Sequence, residues 1–230
     1  RMGTVTGYAP FVSLNDQGDY EGFDIDIAHL LAERMDADLE LEDMGSMPAL
    51  MMALRQGKVD ALIWAISITP SRQREMLMVR YQGEAETIYP LVFWKVIPDG
   101  VSSLGDLQLS EESPILVEGG SVQEVFLEQQ SPAIPMRRVD TATQGMLEIR
   151  YGKAAAFLAD PALLGKIRSS YPDARILEIP IPEENQSLGH GICIRPDNSA
   201  LAKKIEAVVE TLRCEGKIAE LERRWGIAVP

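Results

Sequence analysis

The stretch Gly57-Lys-Val-Asp-Ala-Leu-Ile-Trp-Ala-Ile-Ser-Ile-Thr-Pro-Ser-Arg72 holds a helix end, a strand and a helix start in one short run. Gly57 stands where the preceding helix, about Pro48 to Gln56, needs a left-handed cap. The apolar run Asp60–Ile66 reads as a buried strand. Thr69 is a good N-cap, and Pro70 suits the first helical position. Helix, strand and helix in immediate succession are the mark of an α/β chain.

Working outward, the same alternation recurs. Phe23, Ile27, Leu30 and Leu31 recur at helical spacing and predict a helix over 23–34, followed by a strand over 38–42. Leu91–Ile97 is extended and apolar. The pattern then begins again with a strand over 115–117, the turn Gly119-Gly120-Ser121 and a helix. A helix over 142–151, a strand over 154–159 and a helix opening at Asp160-Pro161 follow. A last strand near Gly191 leads to helices over 199–213 and 217–225. Two similar α/β units result, and the C-terminal helices could return to the first.

The chain has 230 residues and a formal net charge of -13. Nucleic acid binding needs a basic face, so no nucleic-acid partner is expected. No apolar run approaches the ~20 residues that span a bilayer. Arg1-Met2-Gly3 leads straight into structured-looking sequence; a chain that has shed an export signal and a cytosolic chain would both read this way. Cys193 lies in a strand-like run and Cys214 closes a helix, in a spacing that fits no zinc or redox motif. A strand and a returning helix could pair them as a disulfide; the alternative is two buried thiols. His29 and His190 are too few and too scattered for a metal site, and neither metal nor cofactor is expected.

Ligands of open α/β sheets sit beyond the carboxyl ends of strands, where helix N-termini point. Three turns there carry chemistry. In Ser67–Arg72, Arg72 occupies a first helical turn, where a cation opposes the helix dipole. It can hold a carboxylate bidentately, or pair with a neighbouring acid such as Glu75. In Glu118–Glu124, Ser121 and Glu124 form a capping box after two glycines; this suits either backbone approach to a ligand or a plain helix start. Asp160 is either an ordinary N-cap before Pro161 or an acceptor for an ammonium group. An arginine for a carboxylate and an aspartate for an amine match the two charges of a free α-amino acid.

The motifs Gly7-Tyr-Ala-Pro-Phe11, Gly22-Phe-Asp-Ile-Asp-Ile-Ala28, Gly57-Lys-Val-Asp-Ala61 and Ser67-Ile-Thr-Pro-Ser-Arg72 resemble the polar amino-acid-binding family of extracytoplasmic (periplasmic) solute-binding proteins of ABC importers. Gly120-Ser-Val-Gln-Glu124, Asp160, Leu212–Lys217 and Trp225-Gly226 extend the resemblance over nearly the whole chain. Within the family, 67–74 and Arg150-Tyr-Gly-Lys153 are most similar to the arginine-binding members of chlamydiae.

The resemblance implies a two-lobed type II periplasmic binding protein fold with two α/β lobes joined by two extended crossovers. Lobe 1 is expected at 1–93 plus 191–230 and lobe 2 at 94–190. It implies a monomer, periplasmic or lipid-anchored outside the cytoplasmic membrane, that closes on a free amino acid and delivers it to an ABC permease in the inner membrane. It assigns the α-carboxylate to Arg72, with Ser67 and the Ser121 turn, including Gln123, adding donors. It assigns the α-ammonium to Asp160. Tyr8, Met47 and Ala65 fall where the family lines its ligand; core packing is the alternative for Tyr8 and Met47. Glu118 falls at a side-chain contact, where a carboxylate favours arginine or lysine and repels acidic ligands; its alternative is a solvent-facing glutamate. Three departures bear on the side-chain pocket: Leu77–Gln82 replaces a common aromatic segment, Val5 stands where binders of basic amino acids often carry an acid, and Ala65 replaces a frequent serine or glycine. A receptor's ligand-sensing domain and a dehydratase of the same fold are the competing functions; no enzymatic activity is expected.

Overall fold

The computed structural model describes residues 1–130 and 133–227. The chain divides into two compact lobes. The first comprises Arg1–Ala85 and the segment from Ser187 onward; the second comprises Glu86–Gln186. The first boundary falls eight residues before the expected 93 and the second four before the expected 190.

The first lobe opens with β1 (Met2–Thr4), β2 (Ser13–Leu14), β3 (Tyr20–Glu21), α1 (Phe23–Arg34) and β4 (Leu41–Asp43). It continues with α2 (Met47–Arg55), β5 (Ala61–Leu62), α3 (Pro70–Glu75) and β6 (Leu77–Gln82). The second lobe runs through β7 (Ile88–Trp94), β8 (Ile115–Glu118), α4 (Val122–Gln130) and β9 (Met136–Val139). It ends with α5 (Ala142–Arg150), β10 (Ala156–Leu158), α6 (Leu164–Ser170) and β11 (Ala174–Pro180). The chain then returns to the first lobe as β12 (His190–Ile194), α7 (Ser199–Cys214) and α8 (Lys217–Trp225). Among the described residues no helix is long and apolar enough to cross a membrane.

The two sheets repeat one plan. In the first, the order is β4-β1-β5-β12-β6, with β4, β1 and β5 parallel and β12 antiparallel beside β5. In the second, the order is β9-β8-β10-β7-β11, with β9, β8 and β10 parallel and β7 antiparallel beside β10. Each sheet therefore has three parallel strands whose carboxyl ends share one edge, the edge on which α/β proteins build sites.

Burial follows the sequence pattern. Helix α1 buries Phe23, Ile25, Ile27, Ala28 and Leu31. Trp225 Nε1 donates to Asp26 Oδ2 at 2.7 Å, and Arg34 grips Glu215 through two hydrogen bonds, so the C-terminal helices are fastened to both ends of α1. The second core gathers Leu91, Phe93, Ile115, Val117, Phe126, Leu158 and Ile179. Tyr89 and Phe126 meet edge to face there, with ring centroids 5.1 Å apart.

Several expectations need correction. The run Asp60–Ile66 pairs as a strand only over Ala61–Leu62, because Ala65 turns into the left-handed region at φ +42°. The chain then continues as a buried segment bonded to Leu188–Gly191 instead of to the parallel sheet. The strand expected over 38–42 begins at Leu41, and Asp160-Pro161 opens a 3-10 turn before α6. The cysteines are not paired, nor are both buried: Cys193 is buried and Cys214 is exposed. Cys193 lies within β12, whereas Cys214 projects from the last turn of α7 toward Glu210, with Sγ 3.7 Å from its Oε1.

Gly22 shows how a sequence motif fixes the frame. Its φ is +135°, and a Cβ placed on it would stand 2.0 Å from the Phe11 carbonyl oxygen. That approach lets the Pro10 and Phe11 carbonyls accept the first amides of α1, from Phe23 and Asp24. Gly22→Ala is therefore expected to destabilise the protein by about 2 kcal/mol or more, through backbone strain and the displaced helix start. Urea unfolding at an unchanged slope measures this, and a loss below about 0.5 kcal/mol refutes it.

Candidate functional site

In the first lobe the residues expected at a site all follow carboxyl ends of the parallel strands. Tyr8 comes after β1, Met47 after β4, and Ala65, Ser67 and Arg72 after β5. Tyr8 is buried against Trp64 and Phe11, with ring centroids 5.2 and 5.6 Å away. Met47 opens α2 and is buried.

Thr69 caps α3 as its sequence predicts, its hydroxyl accepting the Arg72 N–H at 3.3 Å. The Arg72 guanidinium turns back and donates from Nη1 to the Ser67 carbonyl at 2.9 Å. Arg72 and Ser67 are thus brought together. Glu75, the surface partner weighed for Arg72, is held instead by Arg55. Ser67 is itself fixed by the ladder on both sides. The Ile68 N–H donates to Gly189 O at 2.7 Å and the Gly191 N–H to Ile66 O at 2.8 Å.

A residue that sequence reasoning passed over underlies this arrangement. Asp24, in the first turn of α1, is fully buried. Its Oδ2 accepts the Ala65 N–H at 2.7 Å and its Oδ1 the Tyr81 hydroxyl at 2.6 Å. Burial raises its pKa to about 6, against the lowering effect of those two bonds and of His190. A left-handed non-glycine residue such as Ala65 costs of order 1–3 kcal/mol and persists only where its surroundings over-determine it; the Asp24 bond is what holds it. Trp64 was also passed over. It is buried beside Tyr8, and its Nε1 has no hydrogen-bond partner among the described residues.

In the second lobe the corresponding edge is acidic. Glu118 ends β8, Asp140 follows β9 and Asp160 follows β10, so three carboxylates succeed three adjacent parallel strands. Glu86 brings a fourth: carboxylate oxygens of Glu86 and Asp160 lie within 4.8 Å of each other. Asp140 and Glu86 were not singled out from sequence. The strand-end rule could have flagged Asp140 had β9 been recognised, but Glu86 had no signal.

Glu118 is not the solvent-facing glutamate weighed as its alternative. Its Oε1 is buried and has no hydrogen-bond partner among the described residues. Burial first, then the Asp160 and Asp140 carboxylates, push its pKa up to about 8. At neutral pH this group is mostly protonated unless a cation arrives.

Ser121 caps α4, its hydroxyl accepting the Glu124 N–H at 3.1 Å; Glu124 Oε2 accepts from Gly120 N at 2.6 Å, one residue before the N-cap amide that a reciprocal box would use. Arg138 pairs with the same Glu124 and locks the turn. Gln123, in the first turn of α4, is buried with its Nε2 unpartnered. Asp160 caps its 3-10 turn through Oδ1, which accepts the Ala162 N–H at 2.8 Å. The plain capping functions of Ser121 and Asp160 are therefore both realised.

The sequence profile of the bacterial extracellular solute-binding proteins, family 3, matches residues 1–228. A relative from Chlamydia trachomatis, described as a probable ABC transporter arginine-binding protein ArtJ, is 34% identical over 98% of this chain and 85% of its own length. The ABC transporter arginine-binding protein 1 of Escherichia coli K12 is 23% identical over 97% of this chain and 89% of its own. Among solved structures, a mutant of ArgBP from T. maritima superposes with a TM-score of 0.85 at 24% identity, covering 99% of this chain and 94% of that one. An ancestral arginine-binding protein bound to arginine gives 0.83 at 24% identity, covering 98% and 96%. These two structures establish the fold, and it is the two-lobed type II periplasmic binding protein fold expected from the sequence. The whole-length profile match and the chlamydial relative together make this chain a member of the bacterial extracellular solute-binding proteins, family 3.

Proposed function

We propose that the protein is the substrate-binding component of an amino-acid ABC importer and that its ligand is a free L-amino acid with a cationic side chain, arginine foremost. The observation that carries the cationic preference is the acidic strand-end rim of the second lobe, with the buried, unpartnered Glu118 Oε1 at its centre. A desolvated carboxylate flanked by two others gains most from a cation and is most hostile to an anion. The chlamydial and E. coli relatives described as arginine-binding support the same choice.

The roles divide between the lobes. Arg72, steered by the Ser67 carbonyl, takes the α-carboxylate bidentately. Asp160 accepts from the α-ammonium. Glu118 receives the side-chain cation, with Asp140 adding charge. Gln123 supplies a donor from its unpartnered amide. Tyr8 and Trp64 present an aromatic wall, with Met47 and Ala65 completing the apolar lining. The protein acts as a monomer outside the cytoplasmic membrane, periplasmic or lipid-anchored, and hands its ligand to a membrane permease. It binds without catalysing.

A dehydratase reading has one observation behind it. A solved neighbour with TM-score 0.83 at 22% identity is described as an ancestral amino-acid-binding protein and a precursor of cyclohexadienyl dehydratase, and a carboxyl near pKa 8 is suited to acid catalysis. Turnover of small cyclic acids by the purified protein would favour that reading over the binding one.

Calorimetric titration of ligand-stripped protein tests the proposal. Arginine is expected to bind with Kd about 1 μM or tighter, and glutamate not at all. Failure of arginine, lysine and glutamine alike refutes it. Arg72→Ala is expected to weaken arginine binding at least about a hundredfold, since an unpaired buried carboxylate is left behind.

The pH dependence has a definite sign. Free Glu118 is protonated below about 8, whereas a bound cation requires it ionised. Binding at pH 7 therefore releases a proton, and affinity for arginine rises by up to about tenfold per pH unit between pH 6 and 8. Glu118→Gln is expected to lower the affinity and flatten this slope. A slope unchanged in the variant assigns the proton elsewhere.

A further inference from the structure

We propose that Asp24 is the positioning residue of the first lobe's half-site. By accepting the Ala65 amide it holds the left-handed bend that presents Ser67 and, through the Ser67 carbonyl, the Arg72 guanidinium. This rests on the reading that Arg72 takes the ligand's carboxylate.

The argument is a chain of contacts, each short. Residues 61–64 leave the parallel sheet in the direction of β5, and only two of them pair as a strand. At Ala65 the backbone enters φ +42°. Its N–H, turned away from the ladder, finds the Asp24 carboxylate at 2.7 Å, forty-one residues earlier in the chain. Beyond the bend, Ile66–Ile68 changes partners and lies against Leu188–Gly191. That second pairing aims the Ser67 carbonyl at Arg72 Nη1, 2.9 Å away. Asp24 touches neither Ser67 nor Arg72 through any hydrogen bond of its own. Its other oxygen is occupied by the Tyr81 hydroxyl from β6, which fixes the carboxylate's orientation.

The bend has a chemical alternative that makes the inference testable. Glycine enters the left-handed region without penalty. A glycine at position 65 therefore needs no carboxylate to hold it there. If Asp24 serves the site by holding Ala65, its loss matters when residue 65 is alanine and matters little when it is glycine. If Asp24 only supports the core, glycine at 65 does nothing for the loss.

The experiment is a double-mutant cycle on the full chain with arginine as the probe. Affinity is read by calorimetry, and folding by circular dichroism and urea unfolding. Asp24→Asn keeps the side-chain shape and one acceptor but removes the charge. It is expected to weaken arginine binding about tenfold or more, a size typical of coupling through a shared backbone shift. Ala65→Gly alone sets the baseline of the cycle, because residue 65 also belongs to the proposed lining. The pair Asp24→Asn with Ala65→Gly is expected to bind about as tightly as Ala65→Gly alone. Wild-type affinity in Asp24→Asn overturns the inference. So does a double variant as far below Ala65→Gly as Asp24→Asn is below wild type, whether the deficit is in binding or in folding. Arginine binding by the wild type reports separately on the proposed function, so failure of one is distinguishable from failure of the other.

Discussion

The Asp24 carboxylate joins three separate pieces of the first lobe: the start of α1, the bend after β5 and the strand β6. Its energetics are those of a group kept for shape. Raising a carboxyl from 3.8 to about 6 means that ionising it inside the lobe costs about 3 kcal/mol more than in water. That penalty remains after both hydrogen bonds have been counted. An apolar residue there would spare the penalty but leave the Ala65 amide and the Tyr81 hydroxyl buried without partners, each at about 1–3 kcal/mol. The carboxylate is thus close to neutral for stability, and what it supplies is a unique path for the backbone between β5 and α3.

The two lobes share a strand plan and differ in what they place at its productive edge. In the first lobe the loops after β1, β4 and β5 carry an aromatic pair, a methionine and one arginine. In the second the loops after β8, β9 and β10 carry three carboxylates. Arg72 sits against the dipole of a short helix, a placement that costs several tenths of a kcal/mol. The Ser67 carbonyl offsets that cost and fixes the direction of the guanidinium. Burial, with the repulsion of Asp160 and Asp140 added to it, raises the pKa of Glu118. The two edges therefore differ in sign, one arginine against three carboxylates, and the two signs are those of an amino acid inverted.

Much of this was legible in the sequence because it rests on local rules. Gly57 has φ +69° after α2, as a helix cap demands. The Thr69-Pro70 start forms as read, and of the Ser121–Glu124 box the Ser121 half forms, while the Glu124 carboxylate accepts from Gly120 N, one residue earlier. The strand-end rule singled out Arg72 and Asp160, and the family resemblance added Ser67 and Glu118; each lies within a few residues of a recognisable turn. What was not legible depends on distant partners. The break at Ala65 is invisible in an apolar run that continues to Ile68, because the acceptor that causes it is Asp24. The acidic rim needs the order β9-β8-β10 before Asp140, Glu118 and Asp160 become neighbours. Strands β6, β9 and β11 mix charged and apolar residues and offer little periodicity. The cysteine expectation failed on helical phase, which turns Cys214 outward at the end of α7.

Under the proposed assignment, specificity comes as much from what the site refuses as from what it holds. A neutral side chain could sit beside protonated Glu118 at little cost, so the rim does not exclude glutamine by repulsion; it only fails to reward it. A cationic side chain gains an ion pair with a carboxylate already stripped of water, where Coulomb attraction is least screened. Part of that gain is spent on displacing the Glu118 proton. An anionic side chain meets Asp140 beside Glu118, and protonation of Glu118 removes one repulsion without supplying an attraction. The resulting order, cation over neutral over anion, follows from the crowding of carboxylates at three strand ends. It does not depend on the detailed shape of the pocket. In the proposed assignment Arg72 contributes nothing to the order, because every amino acid would present it with the same carboxylate.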